Sequence, residues 1–565
     1  MKMLQRSAAL MLALGVGSGC YSGSSSDPAG DDPQGEGTSD SEGSGDSGDD
    51  DNPVPPDLDP DTVPEPLAAR LNDIQYAYTV LDLLGTELTD QEQGLLPRDV
   101  PIDGTYSTSS EAQSFSTQYV LGYAYIARSL SERLDPGTLL MEHGGCNSVD
   151  PSCLEDFVEG LGLRAFRRPL TGEERTSFLA LGEQIASIDE TTDDDVVRGL
   201  VQAILQAPPF IYRLEGEREG EAGVVRRTTG WELASRLSYF LWQSAPDDEL
   251  LAFAAGSDGD GDYDPSALPG QIDRMMADPR FARSRQVFWG DYSLASTSAF
   301  GSIDPELAEQ LRESLMASFD RLSGVGAPPE PLSALFDGDT LVMTPAVAEL
   351  AGVASLGDGL QVYEGVSDRQ GLITHPGFLA ALGTNSFVGR GVFMTERLLC
   401  QHQQSPPDDL ADAIDETNNA TTDMTPREAS EFRFGLDAVC RACHMQFEPI
   451  SYAFERYDMS GRYVLTDDQG RDLFAHGVLP AQGERPEIEF GSAPELLGEL
   501  ADRPEINHCM VENMMEYGSG VPPVDSEEFL RLAQERYESE GLTFDALVSA
   551  VAGSERFTFL RTVTE

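Results

Sequence analysis

Apolar residues recur along most of the chain at intervals of three and four, the period of an amphipathic helix. Val197, Leu200, Val201 and Ile204 show this spacing clearly. The same pattern predicts helices over residues 71–84, 115–134, 154–166, 194–206, 231–242, 271–276 and 281–289. Strand-like alternation is weak, and it predicts short strands only near residues 340–342 and 462–465. The chain is therefore predicted to be mainly α-helical.

Capping signals mark several helix ends. Gly85 suits the end of the first helix, and the run from Thr171 to Glu174 resembles a helix start. Thr425, Pro426 and Glu428 form an N-cap, a first-turn proline and a capping-box acid. Phe432, Leu436 and Val439 then continue at helical spacing, so this helix is predicted to close at residues 440–444.

The first twenty residues have the pattern of a targeting segment. Lys2 and Arg6 precede a short apolar run, and small residues lead to Cys20. The run is too short to span a bilayer, and it predicts a lipoprotein-type signal peptide over residues 1–20 with Cys20 as the lipidated residue. Plain secretion to the periplasm is the alternative. Either way we expect an exported protein, attached to membrane at most by lipid at the outer membrane or cell surface.

Composition divides the remaining chain. Residues 21–66 are rich in Ser, Gly, Asp and Pro and are predicted to form a disordered acidic tether. Beyond it we expect helical modules over residues 67–140, 144–220 and 228–350, a motif-bearing module over residues 365–485, and a C-terminal helical module over residues 486–565. The formal net charge of -61 argues against a nucleic-acid partner.

The run Cys440-Arg441-Ala442-Cys443-His444 carries the clearest chemistry. Cys-x-x-Cys-His is the attachment signal of a c-type haem, in which both thiols bind the haem covalently and the histidine is the proximal iron ligand. The alternatives are a redox dithiol and half of a zinc site. The other Cys and His residues are scattered, which disfavours zinc, and a dithiol would open a helix after a strand. We therefore predict one covalent haem c.

Four further cysteines remain after Cys20 and the motif are assigned. In an oxidising compartment they are expected to pair as Cys146–Cys153 and Cys400–Cys509. The alternative for the second pair is buried free thiols.

The sixth iron ligand would decide the redox behaviour, since methionine raises the potential and histidine lowers it. The distal candidates are Met459, His476, Met510 and Met514, with His508 a weaker one. Met510 and Met514 share a helical face with other apolar residues, which also suits an ordinary core. Near the proximal side, Pro449 is either a residue that positions His444 through a neighbouring carbonyl or a buried turn proline.

Several strings resemble the planctomycete-type surface cytochromes, a family that also occurs in myxobacteria. They lie at residues 71–76 (LNDIQY), 164–171 (RAFRRPLT), 209–215 (PFIYRLE), 235–242 (SRLSYFLW), 389–391 (GRG) and 454–458 (FERYD). The resemblance implies several small helical modules around one cytochrome c-like haem module. Family members often have a histidine before the motif, where this chain has Phe434, and an aspartate before the proline, where it has Glu448.

These observations predict a lipid-anchored monohaem c-type cytochrome-like protein that exchanges electrons with an unidentified redox partner. One alternative is a haem oxidoreductase with an open distal site, such as a peroxidase-like enzyme. Another is a surface protein that binds glycan or protein, with haem in a structural or sensory role. The chain has no nucleophile elbow, phosphate-binding glycine loop or His-Glu-x-x-His motif, so its enzyme status is left open.

Overall fold

The computed structural model describes residues 63–562, with gaps at residues 98, 100–104, 111–112, 114–115, 217–222, 258, 260, 296–299, 302, 384–385, 404–410, 437, 484 and 523–526. The signal peptide predicted over residues 1–20, Cys20 and most of the predicted tether lie outside the described residues. All described residues belong to one compact unit.

Eight helices and two short strands form the N-terminal part of the described chain. They are β1 (Ala68–Arg70), α1 (Asp73–Leu84), α2 (Asp90–Gln93), α3 (Thr117–Arg133), α4 (Pro136–Gly144), α5 (Pro151–Phe166), α6 (Gly172–Ala186), α7 (Asp193–Gln206), α8 (Pro208–Ile211) and β2 (Tyr212–Leu214). Strand β1 pairs antiparallel with β2, with Ala69 opposite Arg213. The first and last elements of this N-terminal part therefore meet in one two-stranded sheet.

The rest of the described chain is also mainly helical. Its elements are β3 (Val225–Arg227), α9 (Gly230–Trp242), α10 (Asp248–Ala255), α11 (Leu268–Ala277), α12 (Phe281–Tyr292), α13 (Pro305–Leu322), α14 (Ala334–Asp337), β4 (Thr340–Met343), α15 (Pro345–Leu350), β5 (Gln361–Glu364), α16 (Pro376–Ala381), α17 (Phe387–Leu399), α18 (Ala411–Ala420), α19 (Pro426–Phe434), α20 (Ala438–Ser451), β6 (Gly477–Leu479), β7 (Ile488–Phe490), α21 (Ala493–Leu500), α22 (Pro504–Ser519), α23 (Glu527–Ser539), α24 (Phe544–Ala552), α25 (Glu555–Thr558) and β8 (Phe559–Arg561). The predicted fold class is confirmed.

Local capping fixes many of these helix ends. Asn72 forms a capping box with Gln75 at the start of α1, and Gly85 ends that helix in the left-handed conformation. Thr171 forms the corresponding box at the start of α6. Each box satisfies backbone N–H groups that the first helical turn leaves without a partner. The helix end predicted at Gly85 and the helix start predicted at Thr171 are therefore confirmed.

Two hydrophobic cores lie within the described residues. The N-terminal core is built from α1 to α8, and the main core collects α9 and almost every later element. Helix α9 contributes to both, because Tyr239 packs into the N-terminal core while Leu237 and Phe240 pack into the main core. The hydroxyl groups of Thr79 in α1 and Tyr239 also form a hydrogen bond of 3.1 Å. Helix α9 therefore connects the two cores.

The short strands join distant parts of the chain. Strand β3 pairs antiparallel with β8 near the C-terminus, and β4 pairs with β5. The strand predicted near residues 340–342 is confirmed as β4. The strand predicted over residues 462–465 is wrong, because the segment makes only an isolated bridge between Tyr463 and Tyr457. The bridge closes a tight turn in which Asp458 N–H donates to the carbonyl of Arg462 at 3.0 Å and Gly461 has a φ of 75°.

Both predicted disulfides are present. Cys146 is bonded to Cys153, and Cys400, at the end of α17, is bonded to Cys509 of α22. Such bonds are typical of proteins from oxidising, extracytoplasmic compartments. Within the described residues, no helix combines the length and apolar character needed to cross a membrane.

Candidate functional site

The Cys-x-x-Cys-His motif lies in the first turns of α20. Helix α19 begins with the predicted capping box of Thr425 and Glu428, but it ends at Phe434 with Gly435 as its C-cap. A second helix then begins at Ala438. The prediction that the motif closes the earlier helix is therefore wrong, because the chain breaks at Gly435, a poor helix former. Since the motif opens a helix, its position no longer argues against a dithiol.

The two motif cysteines differ in exposure. Cys440 is half-buried and Cys443 is exposed, and neither takes part in the two disulfides. The thiols stand three residues apart in one helix, so they lie on neighbouring positions of its surface. His444 follows directly, with 22% of its side chain exposed. The arrangement presents two sulfur nucleophiles and one imidazole on the outer part of α20.

A buried carboxylate holds the ring of His444. Nδ1 of His444 lies 2.9 Å from Oε1 of Glu448, one helical turn further along α20. Glu448 is fully buried, and it also accepts hydrogen bonds from Nε of Arg433, at 2.6 Å, and from the hydroxyl of Ser430. Because an ionised carboxylate can only accept, Nδ1 of a neutral His444 carries the proton. Nε2 then keeps the lone pair that a metal ligand requires.

Glu448 is ionised in this setting. Burial alone would raise the pKa of its carboxyl group, but the hydrogen bonds from His444, Arg433 and Ser430 lower the pKa below its ordinary value.

The position expected for Pro449 is also corrected. Pro449 is buried inside α20, and the group that positions His444 is the side chain of Glu448. The i,i+4 spacing of His444 and Glu448 would have revealed this pair if α20 had been recognised as the helix that carries the motif.

Helix α19 has its polar side turned inward. Its buried residues are Ala429, Ser430 and Arg433, and the last two contact Glu448. Phe432 is 38% exposed, and Leu436, just beyond the helix, is 36% exposed. An amphipathic helix of a finished core normally buries such residues. Two large apolar side chains of this segment, Phe432 and Leu436, therefore remain partly exposed a few residues before the motif.

Other large apolar side chains near the motif in sequence are exposed as well. With Phe432 and Leu436, the set comprises Ile414, Met445, Met459, Leu465, Phe474 and Val478. We call these eight residues the outward apolar set. Met445 lies on α20 directly after His444, and the others precede or follow the motif within the predicted haem module. The set offers apolar surface that a planar hydrophobic group could cover.

The backbone beneath the motif is closely packed. Helix α17 packs along α20, and a Cβ placed on Gly391 would come within 2.2 Å of the carbonyl oxygen of Phe447. Only glycine permits this approach. The neighbouring Arg390 is fully buried and donates to the carbonyls of Phe454 and Tyr457 at 2.6 and 2.7 Å. Burial lowers the pKa of Arg390 to about 10, so it remains charged at neutral pH. The buried half of α20 is thus a rigid support for the motif.

The distal candidates occupy two different surroundings. Met510 and Met514 are buried in the main core on α22, which packs against α9, α17, α23 and α24. Met459 and His476 are exposed in the segment that follows α20. His508 is half-buried on α22, with Nδ1 at 3.2 Å from Oε1 of Gln534. The buried methionines have the surroundings of core residues, whereas Met459 and His476 lie at the surface of the motif-bearing region.

The segment carrying His476 is tied to α19. Arg427 donates through Nη2 to the carbonyl of His476 at 2.8 Å, and through Nε to the carboxylate of Glu455 at 3.0 Å. Its guanidinium also lies 4.4 Å from the centre of the Tyr452 ring. Strand β6, which begins one residue after His476, packs against α20. These contacts hold the His476 segment against the same pair of helices that carries His444.

The arginines in the N-terminal motifs serve the fold. Arg168 pairs with Glu174, and Arg236 pairs with Glu215. Arg167 donates to the backbone carbonyls of Phe210 and neighbouring residues. Among the described residues, no group of three or more His, Cys, Asp or Glu side chains is arranged to hold a metal ion.

Four protein-family models match the chain in sequence order. They are PSD3, a protein of unknown function (DUF1587), at residues 69–135; PSD5, a protein of unknown function (DUF1595), at residues 153–215; PSD4, a protein of unknown function (DUF1592), at residues 228–353; and PSCyt3, a protein of unknown function (DUF1588), at residues 369–467. The ordered matches support a multi-module family. The PSCyt3 match includes the motif, Arg433 and Glu448. No curated protein and no solved structure matches the chain.

Proposed function

We propose that the chain is an exported monohaem c-type cytochrome-like protein with an electron-transfer role. The observation that carries the proposal is the motif histidine. His444 directly follows Cys440-x-x-Cys443, and its Nδ1 is hydrogen-bonded to the buried carboxylate of Glu448. This leaves Nε2 as the nitrogen suited to an iron ligand.

The residues fit haem c on three counts. Cys440 and Cys443 would hold the group through thioether bonds, and they stand outside the disulfides. His444 would be the proximal ligand. The outward apolar set supplies surface for the macrocycle to cover. The name of the PSCyt3 model, which spans the motif, agrees with a cytochrome-like module.

Bound haem c supplies a one-electron iron couple whose potential depends on the axial ligands and their surroundings. The chain itself would position the iron ligand and balance the buried charge. Glu448 orients the imidazole of His444, and Arg433 neutralises the carboxylate of Glu448. The packing of α17 on α20 holds in place the helix that carries His444 and Glu448. Lipidation of Cys20 would attach the protein to the outer membrane or cell surface.

The proposal is tested by the optical spectrum of the full chain matured in a host with c-type haem assembly. Oxidised and dithionite-reduced spectra should show a haem that stays attached after denaturation. The variant Cys440→Ala/Cys443→Ala should lose it. The variant Cys146→Ala/Cys153→Ala also removes two cysteines, but it should keep the haem. An unmutated chain without covalent haem would overturn the cytochrome proposal.

The same spectra decide between the redox roles. A low-spin, six-coordinate spectrum would support electron transfer, and a high-spin spectrum would favour the alternative of an open distal site. Met459→Ala and His476→Ala should then identify the sixth ligand, because loss of that ligand converts a low-spin spectrum to high spin. Met514→Ala is the matched comparison for a buried methionine in the main core.

A further inference from the structure

The contact between His444 and Glu448 is built into one helix. The residues are four apart on α20, so their side chains lie on the same face, and Nδ1 and Oε1 are 2.9 Å apart. The Phe447 ring packs beside the imidazole with a centroid distance of 5.2 Å. The imidazole is therefore held by a hydrogen bond and by an aromatic neighbour from its own helix.

Further contacts fix the carboxylate itself. Arg433 of α19 donates to the oxygen that faces His444, and Ser430 donates to the other oxygen. The Ser430 hydroxyl also lies 2.8 Å from the hydroxyl of Tyr452, which follows α20. Glu448 thus has donors on both oxygens and no exposed surface. A carboxylate with this many charge-assisted and neutral donors keeps its negative charge and its orientation.

An anionic acceptor changes what the imidazole can do. A hydrogen bond from Nδ1 to a carboxylate raises the basicity of the ring and strengthens donation from Nε2. Stronger donation to iron favours the oxidised state over the reduced state. A neutral acceptor, such as a backbone carbonyl, gives a weaker bond, since charge-assisted hydrogen bonds are about twice as strong as neutral ones.

We propose that Glu448 is a positioning residue that lowers the midpoint potential of the haem held by Cys440, Cys443 and His444. This inference rests on the proposed function and names the side chain that lowers the midpoint potential. Glu448 acts through His444 and does not contact iron. The sequence alone did not assign it this role.

The test compares the midpoint potentials of two haem-loaded variants of the full chain. Glu448→Gln keeps the size of the side chain and a neutral acceptor oxygen but removes the charge. Glu431→Gln, on the exposed side of α19, removes one charge close by without a contact to His444. Glu448→Gln should favour the reduced state roughly tenfold over the unmutated protein, an upward shift of about 59 mV for one electron. Glu431→Gln should shift the potential by much less.

A second measurement covers the case in which Glu448→Gln does not fold, since that change leaves the buried guanidinium of Arg433 without an anionic partner. Nitrogen NMR of His444 in the haem-free Cys440→Ala/Cys443→Ala chain should show the proton on Nδ1. A proton on Nε2 would overturn the inference. Equal potential shifts in the two glutamate variants would overturn it as well, while the cytochrome proposal would stand. Absence of covalent haem from the unmutated chain would overturn both.

Discussion

Helices α7 and α19 treat their apolar residues in opposite ways. In α7, in the N-terminal region (residues 69–215), Val197, Leu200 and Ile204 are all fully buried. In α19, in the motif region (residues 411–479), Ser430 and Arg433 are buried while Phe432 keeps 38% of its surface exposed. Both sequences have helical periodicity, yet only α7 buries all of its large apolar residues.

The difference concerns how each region covers the apolar residues of these two helices. The neighbouring helices bury α7, although Val120, Leu121 and Met141 elsewhere in the N-terminal region are exposed. The motif region packs one side of α20 against α17 and leaves the outward apolar set exposed on segments that precede, carry and follow the motif. On our account, that surface is completed by a covalently attached haem. Substitutions in each region test this comparison.

The largest effect is expected from the disulfides. Cys400–Cys509 closes a loop of 109 residues and ties α17 to α22, whereas Cys146–Cys153 closes a loop of 7. On the chain-entropy account, Cys400→Ala/Cys509→Ala should lower the free energy of unfolding by about 5 kcal/mol, and Cys146→Ala/Cys153→Ala by about 2 kcal/mol. Urea unfolding of both variants measures the difference. Equal losses would show that loop length does not govern their contributions.

A cavity in the N-terminal core should come next. Ile204 is fully buried in α7, so Ile204→Ala should lower the free energy of unfolding by about 2–5 kcal/mol, through lost burial and the cavity left behind. The loss should be the same with and without haem. Hydrogen exchange measured by mass spectrometry on residues 69–215 provides the regional readout. A loss that haem attachment relieves would contradict the expectation that haem contacts the motif region alone.

The pH dependence of the N-terminal region follows from His143. Burial, helped by the nearby charge of Arg164, lowers the pKa of His143 to about 4. Above pH 6.5 the side chain is neutral in both states and contributes no pH dependence. As the pH falls from 6.5 to 4, the unfolded chain gains a proton that the folded chain does not, so the free energy of unfolding should fall by roughly 3 kcal/mol.

The variant His143→Leu should remove this slope, and His476→Leu, at an exposed histidine of the motif region, should leave it in place. Urea unfolding of haem-free protein at a series of pH values measures the slope. If His143→Leu keeps the full slope between pH 6.5 and 4, another group must be responsible.

The smallest effect is expected on the outward apolar set. Because Phe432 keeps 38% of its surface exposed in the haem-free chain, Phe432→Ala should lower the free energy of unfolding by only about 1 kcal/mol. In haem-loaded protein the same change should be clearly destabilising, since it would remove apolar contact with the group. Paired unfolding curves with and without haem give the comparison. An equal, small effect in both forms would mean that haem does not cover this face.

Sequence reasoning succeeded where the signal was local. The capping residues Thr171 and Thr425 each fix a helix start within one turn, and Gly85 fixes a helix end, so these boundaries could be predicted without tertiary structure. The disulfides could be predicted because four cysteines remained for two pairs. Strands of three residues, such as β1 and β8, were missed because they are too short to show alternation.

The site was harder because its key contact depends on a helix boundary. The prediction continued α19 through Gly435 and ended that helix at the motif. The one-turn spacing of His444 and Glu448 was therefore not considered, and Pro449 was named as the residue that positions His444. Periodicity also placed Phe432 and Leu436 on one face without indicating what covers it. That information lies in the inward contacts of Ser430 and Arg433 with Glu448, which join residues 15 to 18 positions apart.

The most direct test of the account is peptide mass spectrometry of the full chain matured in a host with c-type haem assembly. Proteolytic peptides containing Cys440, Cys443 and His444 should carry one covalent haem, and those containing the other cysteines should carry none. Hydrogen exchange on the same sample should show protection gained in the motif region and little change in the N-terminal region. A motif peptide without haem would contradict the central claim. The exposure of the outward apolar set would then require another explanation.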